Sequence, residues 1–217
     1  LVVVVRFQLT LFQAFQQASG INFITSYGVV FFFAVGIDSV YLVQLGLYIV
    51  GIPAIWISQY CIEKFGRRPL LIVSGILMIT ALFIMGGCGL VTDKSRSVDS
   101  TIVAMVYIFI FVFNIGWGPA VWVVTSEIST GGNRGKLMSI STASNWFFTW
   151  MVTFTFPYLD NANAANLGPK IGFLYGALMI FACVWVYFYL PETAGRSLEE
   201  IHTLFQLGVP ARQFKCK

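Results

Sequence analysis

Gln13, Gln16, Gln17 and Gly20 stand at i, i+3, i+4 and i+7, one face of a helix, and Asn22, Thr25 and Ser26 repeat i, i+3, i+4 beyond it. Amides and hydroxyls donate and accept hydrogen bonds without forming covalent intermediates, so the chemistry these residues offer is recognition of something neutral and polar. A single glutamine in an apolar helix reads first as helix–helix glue, worth about 0.6 to 2 kcal/mol per bond. Two linked runs of such groups shift the reading towards a water-filled cavity.

A second constellation is Phe113-Asn114-Ile115-Gly116-Trp117-Gly118-Pro119-Ala120-Val121-Trp122. Gly116, Gly118 and Pro119 remove side-chain bulk and a backbone donor within one turn, so a helix here bends or unwinds. A packing kink and a binding site both fit that pattern. Phe113, Asn114 and Trp122 add flat apolar faces and an amide, which suit a sugar ring with its apolar C–H faces and hydroxyl edge. Asn145-Trp146 repeats the pairing of amide and indole. Gly20 weakens the first helix inside its polar stripe, and a broken helix beside a midplane site is a feature of membrane transporters.

Other chemistries lack their residues. The single histidine, His202, lies beside Glu199 and Glu200, and the sequence holds no HExxH, GxSxG or phosphate-cradling glycine loop. Cys61, Cys88, Cys183 and Cys216 have no close pair spacing, which argues against a metal site, a redox pair or a disulfide framework. An enzyme is therefore disfavoured, and no cofactor or metal is expected.

The elements that must position these groups are membrane spans. Charged residues make up 10% and hydrophobic residues 58% of the chain, with mean hydropathy +0.81, whereas about a quarter of a soluble domain carries charge. Six segments exceed the roughly 18 to 20 apolar residues that cross a bilayer: about 8–34, 38–62, 69–91, 101–126, 137–158 and 170–190. The polar stretches between them, at Asp38, Glu63 to Arg68, Thr92 to Ser100, Glu127 to Lys136 and Leu159 to Lys170, are short, so neighbouring helices should pack as antiparallel hairpins. Residues 191–217 form a polar tail, in which Ser197 and Glu200 make a capping box for an amphipathic helix. The fold class expected is an all-α membrane protein.

Ten of the 13 basic residues (Arg6, Lys64, Arg67, Arg68, Arg134, Lys136, Arg196, Arg212, Lys215 and Lys217) fall on one side of this arrangement, which predicts that both ends are cytoplasmic. The net charge of +4 is then a topology signal, and no basic stripe with interleaved aromatics points to nucleic acid. The spans contain no clear midmembrane acid or base to carry a proton. Gly168, Gly172 and Gly176 read as a smooth ridge for close helix contact. Glu63 with Arg67 and Arg68, Glu127 with Arg134, and Pro191-Glu192-Thr193-Ala194-Gly195-Arg196 place acids and arginines at span ends. They fit either a set of pairs that forms in one conformation and separates in another, or a solvated rim worth at most about 1 kcal/mol per pair.

Five motifs in order resemble the C-terminal half, helices seven to twelve, of sugar porters of the major facilitator superfamily: Gln16-Gln17-Ala18-Ser19-Gly20-Ile21-Asn22, Glu63-Lys64-Phe65-Gly66-Arg67-Arg68, Gly116-Trp117-Gly118-Pro119 with Trp122 and Glu127, Asn145-Trp146, and Pro191 to Arg196. The run Met138 to Trp146 most resembles fungal hexose transporters. The resemblance implies alternating access around a sugar held between two six-helix halves in a plasma-membrane carrier. The N-terminal half, which would hold any proton-coupling group, lies outside this sequence. It further implies sugar contacts at Gln16, Gln17, Asn22, Trp122 and Asn145, with Asn114 and Trp146 in or beside the site. A cytoplasmic charge network follows at Glu63, Arg67, Arg68, Glu127, Arg134 and Glu192. A sugar sensor of the same fold, or an inactive half, would carry the same motifs. Gly51 stands where many relatives have a sugar-binding asparagine, and Ser129 to Asn133 replaces the usual Phe-Pro-containing stretch.

Overall fold

The structure, a computed structural model, describes residues 2–37, 39–91, 95–129, 133–160, 165 and 167–207. Expectations that concern Asp38, 92–94, 130–132, 161–164, the side chain of His202 and the tail from 208, with Cys216, lie outside the described residues. Helices occupy all six apolar segments: α1 (Val2–Ala18) and α2 (Ile21–Val35), α3 (Val40–Phe65), α4 (Arg67–Cys88), α5 (Arg96–Ile115) and α6 (Trp117–Ile128), α7 (Arg134–Asp160), and α8 (Ile171–Tyr189). A short α9 (Leu198–Gln206) follows and packs against α6.

Four helical stretches, Val40–Phe65, Arg67–Cys88, Arg96–Ile128 and Gly168–Tyr189, are long and apolar enough to cross a membrane. α1 (17 residues) and α2 (15 residues) are each too short alone because the chain breaks at Gly20 between them, and α7 carries the polar Ser139 to Asn145 run. Outward faces remain strongly apolar: Tyr41, Leu42 and Trp56 on α3, Trp150 and Phe154 on α7, and Phe181 on α8 are all exposed. In a membrane protein, exposed apolar side chains of this kind are covered by lipid or by a partner helix bundle.

Both predicted helix breaks are present, each for a visible reason. Gly20 adopts φ 88°, and a Cβ there would meet the Tyr175 ring at 2.7 Å, so the turn between α1 and α2 needs a residue with no side chain. At the second break, Gly116 takes φ −109° and ψ −84°, and Pro119 offers no N–H to the carbonyl of Ile115. Trp117 plugs this break from inside, fully buried, donating from Nε1 to the Leu71 carbonyl on α4 at 2.9 Å.

The core is one cluster to which every helix from α1 to α8 contributes, with Phe12 of α1, Leu71 of α4, Phe109 of α5 and Trp117 of α6 fully buried in it. Phe23 stacks on Phe156 (5.4 Å between centroids) and on Tyr175 (5.2 Å). The predicted glycine ridge is only partly used. Gly172 lets α8 touch α4, where a Cβ would lie 3.1 Å from the Gly86 nitrogen, and Gly176 faces Phe83. Gly168 instead sits in a 3-10 turn (Gly168–Lys170) at φ 47° with open space around it, so it shapes the turn and makes no ridge contact.

Candidate functional site

The two broken helices meet, and α7 crosses beside them. Gln16, at the last turn of α1, donates from Nε2 to the carbonyls of Trp117 (2.8 Å) and Gly118 (3.0 Å) at the start of α6. Its Oε1 accepts from Gln17 Nε2 (3.2 Å) and Asn145 Nδ2 (3.0 Å). Asn145 also donates to Gln13 Oε1 at 2.8 Å, and Gln13 Nε2 donates to Thr125 Oγ1 at 3.1 Å. At the other end, Asn22 Nδ2 donates to Gln17 Oε1 at 2.5 Å. Gln13, Gln16, Gln17, Thr125 and Asn145 are all buried.

The polarity of this chain of amides is dictated by the backbone. Carbonyls can only accept, so Gln16 must present its NH2 to Trp117 and Gly118 and its oxygen to Asn145. Thr125 donates to the Val121 carbonyl (2.7 Å), so its oxygen accepts from Gln13, which turns the Gln13 oxygen towards Asn145 as well. Asn145 is thereby fixed as the donor to both glutamines. Its Oδ1 carries no hydrogen bond among the described residues, which leaves an oriented acceptor beside the two helix breaks.

The other sequence-predicted residues surround this network without joining it. Asn114 donates from Nδ2 to the Ile110 carbonyl at 2.9 Å. Trp122 and Trp146 have relative exposures of 38% and 66%, so their ring faces are uncovered. A cavity of about 430 Å³ lies between α2, α3 and α5, lined by Thr25, Leu47, Gly51, Ile110, Phe113 and Asn114 among others. It adjoins the Asn22 side of the network but is not lined by Gln16 or Asn145.

At the Glu63 to Arg68 end of the bundle, Glu192 sits on the N-terminus of α4, where its two oxygens accept from the backbone N–H groups of Arg67 and Arg68, both at 3.0 Å. A carboxylate there meets unpaired donors and the positive end of the helix dipole. Arg67 pairs with Glu127 at 2.7 Å, and the other Glu127 oxygen accepts from Thr193 Oγ1 at 2.6 Å. Arg68 donates to the Tyr187 carbonyl at 2.5 Å. The structure thus joins α3–α4, α6 and the Pro191 to Arg196 segment through Arg67, Arg68, Glu127 and Glu192. Glu63 and Arg134 are exposed and make no ion pair among the described residues.

Two participants were given no role by the sequence reading, although Thr193 lies within the Pro191 to Arg196 motif. Thr125 and Thr193 carry hydroxyls that look like any intrahelical or loop threonine. Only a tertiary contact separates a hydroxyl that anchors a network from one that bonds its own helix.

The sequence profile described as "Sugar (and other) transporter" matches residues 3–205. Over 196 residues the chain is 38% identical to the "High glucose sensor RGT2" of Saccharomyces cerevisiae, covering 89% of this chain and 26% of that protein. Over 202 residues it is 34% identical to the "Probable glucose transporter rco-3" of Neurospora crassa, covering 89% and 34%. Among solved structures, the proton:xylose symporter XylE bound to 6-bromo-6-deoxy-D-glucose superposes with TM-score 0.81 at 27% identity, over 93% of this chain and 42% of that one. The chain therefore spans between about a quarter and two fifths of the length of these relatives. The profile match, the ordered motifs and the paired helix breaks together place the chain in the sugar (and other) transporter family, as an all-α half of the major facilitator fold with the motifs of its C-terminal half.

Proposed function

We propose that this chain is the C-terminal, sugar-holding half of a carrier that moves hexose-like sugars by alternating access, with Gln16, Gln17, Asn22, Asn114, Trp122, Asn145 and Trp146 facing the ligand. The observation that carries this reading is the amide network across the two helix breaks, with Asn145 fixed as donor inward and its Oδ1 left as acceptor. A sugar hydroxyl can donate to that oxygen while the exposed indoles cover apolar ring faces. Catalysis has no role here: the work is binding and a change of access.

This reading has six membrane crossings, counting α1–α2 and α5–α6 as one broken span each. The excess of basic residues at one end assigns that end to the cytoplasm, in the plasma membrane. In this reading the Arg67–Glu127 pair and the Glu192 cap are a latch that holds one access state, and Glu63 and Arg134, which carry the same residue types, belong to the same cytoplasmic charge set without pairing in that state. A lone half cannot alternate access, so the missing N-terminal six-helix half is the required partner, and any proton coupling runs through it.

Uptake of labelled hexose by the full-length carrier, with and without Gln16→Ala, tests the proposal. Strongly reduced uptake with membrane insertion intact supports it, and native uptake kinetics in the variant remove the proposed site. The similarity to a glucose sensor favours one further reading, a receptor that binds the same sugar without moving it. Saturable hexose binding with no flux across sealed vesicles would select that reading over the carrier.

A further inference from the structure

The backbone alone leaves the angle between α5 and α6 weakly fixed. Pro119 offers no donor to the Ile115 carbonyl, and the joint residue Gly116 (φ −109°, ψ −84°) has no side chain to wedge it. On either side the helices are regular: Gly116 N–H donates to the Val112 carbonyl at 3.1 Å, and the Gly116 carbonyl accepts from Ala120 N–H at 3.0 Å. Trp117 is the first residue past the joint. Its backbone carbonyl accepts from Gln16 Nε2 at 2.8 Å, while its indole Nε1 donates to the Leu71 carbonyl on α4 at 2.9 Å. One residue thus faces the amide network with its backbone and α4 with its side chain.

The seat on α4 is shaped for this ring. A Cβ on Gly75 would lie 3.2 Å from Trp117 Nε1 and collide with Cys183 Sγ, and a Cβ on Gly116 would collide with Ser74 Oγ, so bulk is missing where the joint and the indole meet α4. Phe12 closes the other side, its ring centroid 6.1 Å from that of Trp117. A carbonyl has two lone pairs, so Leu71 can accept the indole without giving up its place in the helix. Ser74 Oγ also approaches it at 3.3 Å, but its shorter bond, 2.6 Å, goes to the Leu70 carbonyl. A phenyl ring would fill much of the same space; the N–H is what makes the contact directional.

We propose that Trp117 is a positioning residue for sugar binding: its indole bond to Leu71 fixes the joint, so that the Trp117 and Gly118 carbonyls stand where they turn the Gln16 oxygen towards Asn145. Trp117 is fully buried and does not touch the sugar itself; it acts through Gln16. The inference rests on the sugar-holding role proposed above.

The test replaces Trp117 in the full-length carrier by benzothienylalanine, whose ring keeps the shape of indole with sulfur in place of the N–H. Equilibrium binding of labelled hexose to the purified protein should weaken by more than about twofold, the scatter expected between independent sites. Thermal unfolding of the same variant, of Gln16→Ala and of the two combined should show a combined loss smaller than the sum, because each change releases the same joint. A lowered melting temperature with native hexose affinity would make the indole a plug and nothing more, which overturns the proposal. Additive losses overturn it as well, since the effect would then not run through Gln16. Should the isostere fail to fold, Trp117→Phe decides by the same two readings. If the native carrier binds no hexose, the sugar-holding reading itself falls; native binding that is indifferent to the indole N–H removes the positioning role alone.

Discussion

Asn145→Asp isolates the polarity of the buried network, because the two side chains have the same shape and differ in donor capacity. Asn145 Nδ2 donates to Gln13 Oε1 at 2.8 Å and to Gln16 Oε1 at 3.0 Å. An ionised aspartate would set oxygen against oxygen at both contacts, and a protonated one could restore a single donor. Gln16 cannot rescue the site by turning its amide, since that would surrender its bonds to the Trp117 and Gly118 carbonyls. Gln13 is held likewise by Thr125. Losing two intramembrane hydrogen bonds at about 0.6 to 2 kcal/mol each gives about 1 to 4 kcal/mol of lost stability, and hexose affinity falls because the misoriented network no longer presents its acceptor. The assay is hexose affinity of the purified full-length carrier, with thermal unfolding followed in parallel. Ser144→Ala is the control: it removes a neighbouring bond to the Thr10 carbonyl (2.9 Å) outside the network and should change affinity little. Native affinity and melting temperature in Asn145→Asp would refute the argument that backbone carbonyls dictate the orientation of every amide in the chain.

Gly20→Ala should lower the melting temperature, because it forces a side chain into the left-handed region at a cost of about 1 to 2 kcal/mol and displaces Tyr175 from its stack on Phe23. Thr193→Ala should loosen the Glu127 carboxylate, costing about 1.5 to 3 kcal/mol for a hydrogen bond to a charged group, read as faster thiol labelling of a cysteine placed at the Glu63 to Arg68 end. Glu192→Gln removes the charge that caps α4 and should act in the same direction in that labelling assay. Gly172→Val should separate α4 from α8, whose backbones touch there, and reduce the yield of folded protein extracted from membranes.

The places where helices break were legible in the sequence because they depend on residue types: Gly20 must supply a positive φ, and Gly116 with Pro119 removes a donor within one turn. The apolar lengths of α3, α4, α5–α6 and α8 were legible for the same reason, since hydropathy sums along the chain. The polar stripe of Gln13, Gln16 and Gln17 announced that its helix faces something polar. What it faces was undecided: the structure shows the same amides bonding other helices and thereby fixing Asn145 as the donor to Gln13 and Gln16.

Tertiary structure decided which groups complete the two sets. Thr125 and Thr193 became members only by being brought against Gln13 and Glu127 from 112 and 66 residues away, and no local pattern marks such partners. Arg134 and Glu63 share the residue types of the charge network, yet in this conformation they stay outside it, because ion pairing requires approach within a few ångströms, which is set by how α3, α4 and α7 end. The cavity beside Gly51 likewise has no trace in the sequence: a glycine predicts missing bulk, but whether the gap fills by collapse or remains as a pocket depends on the spacing of α2, α3 and α5. Sequence determines local backbone limits and the sign of each surface, because both are properties of single residues or short periods. Partnership and empty space are properties of pairs and groups of helices, and only their packing fixes them.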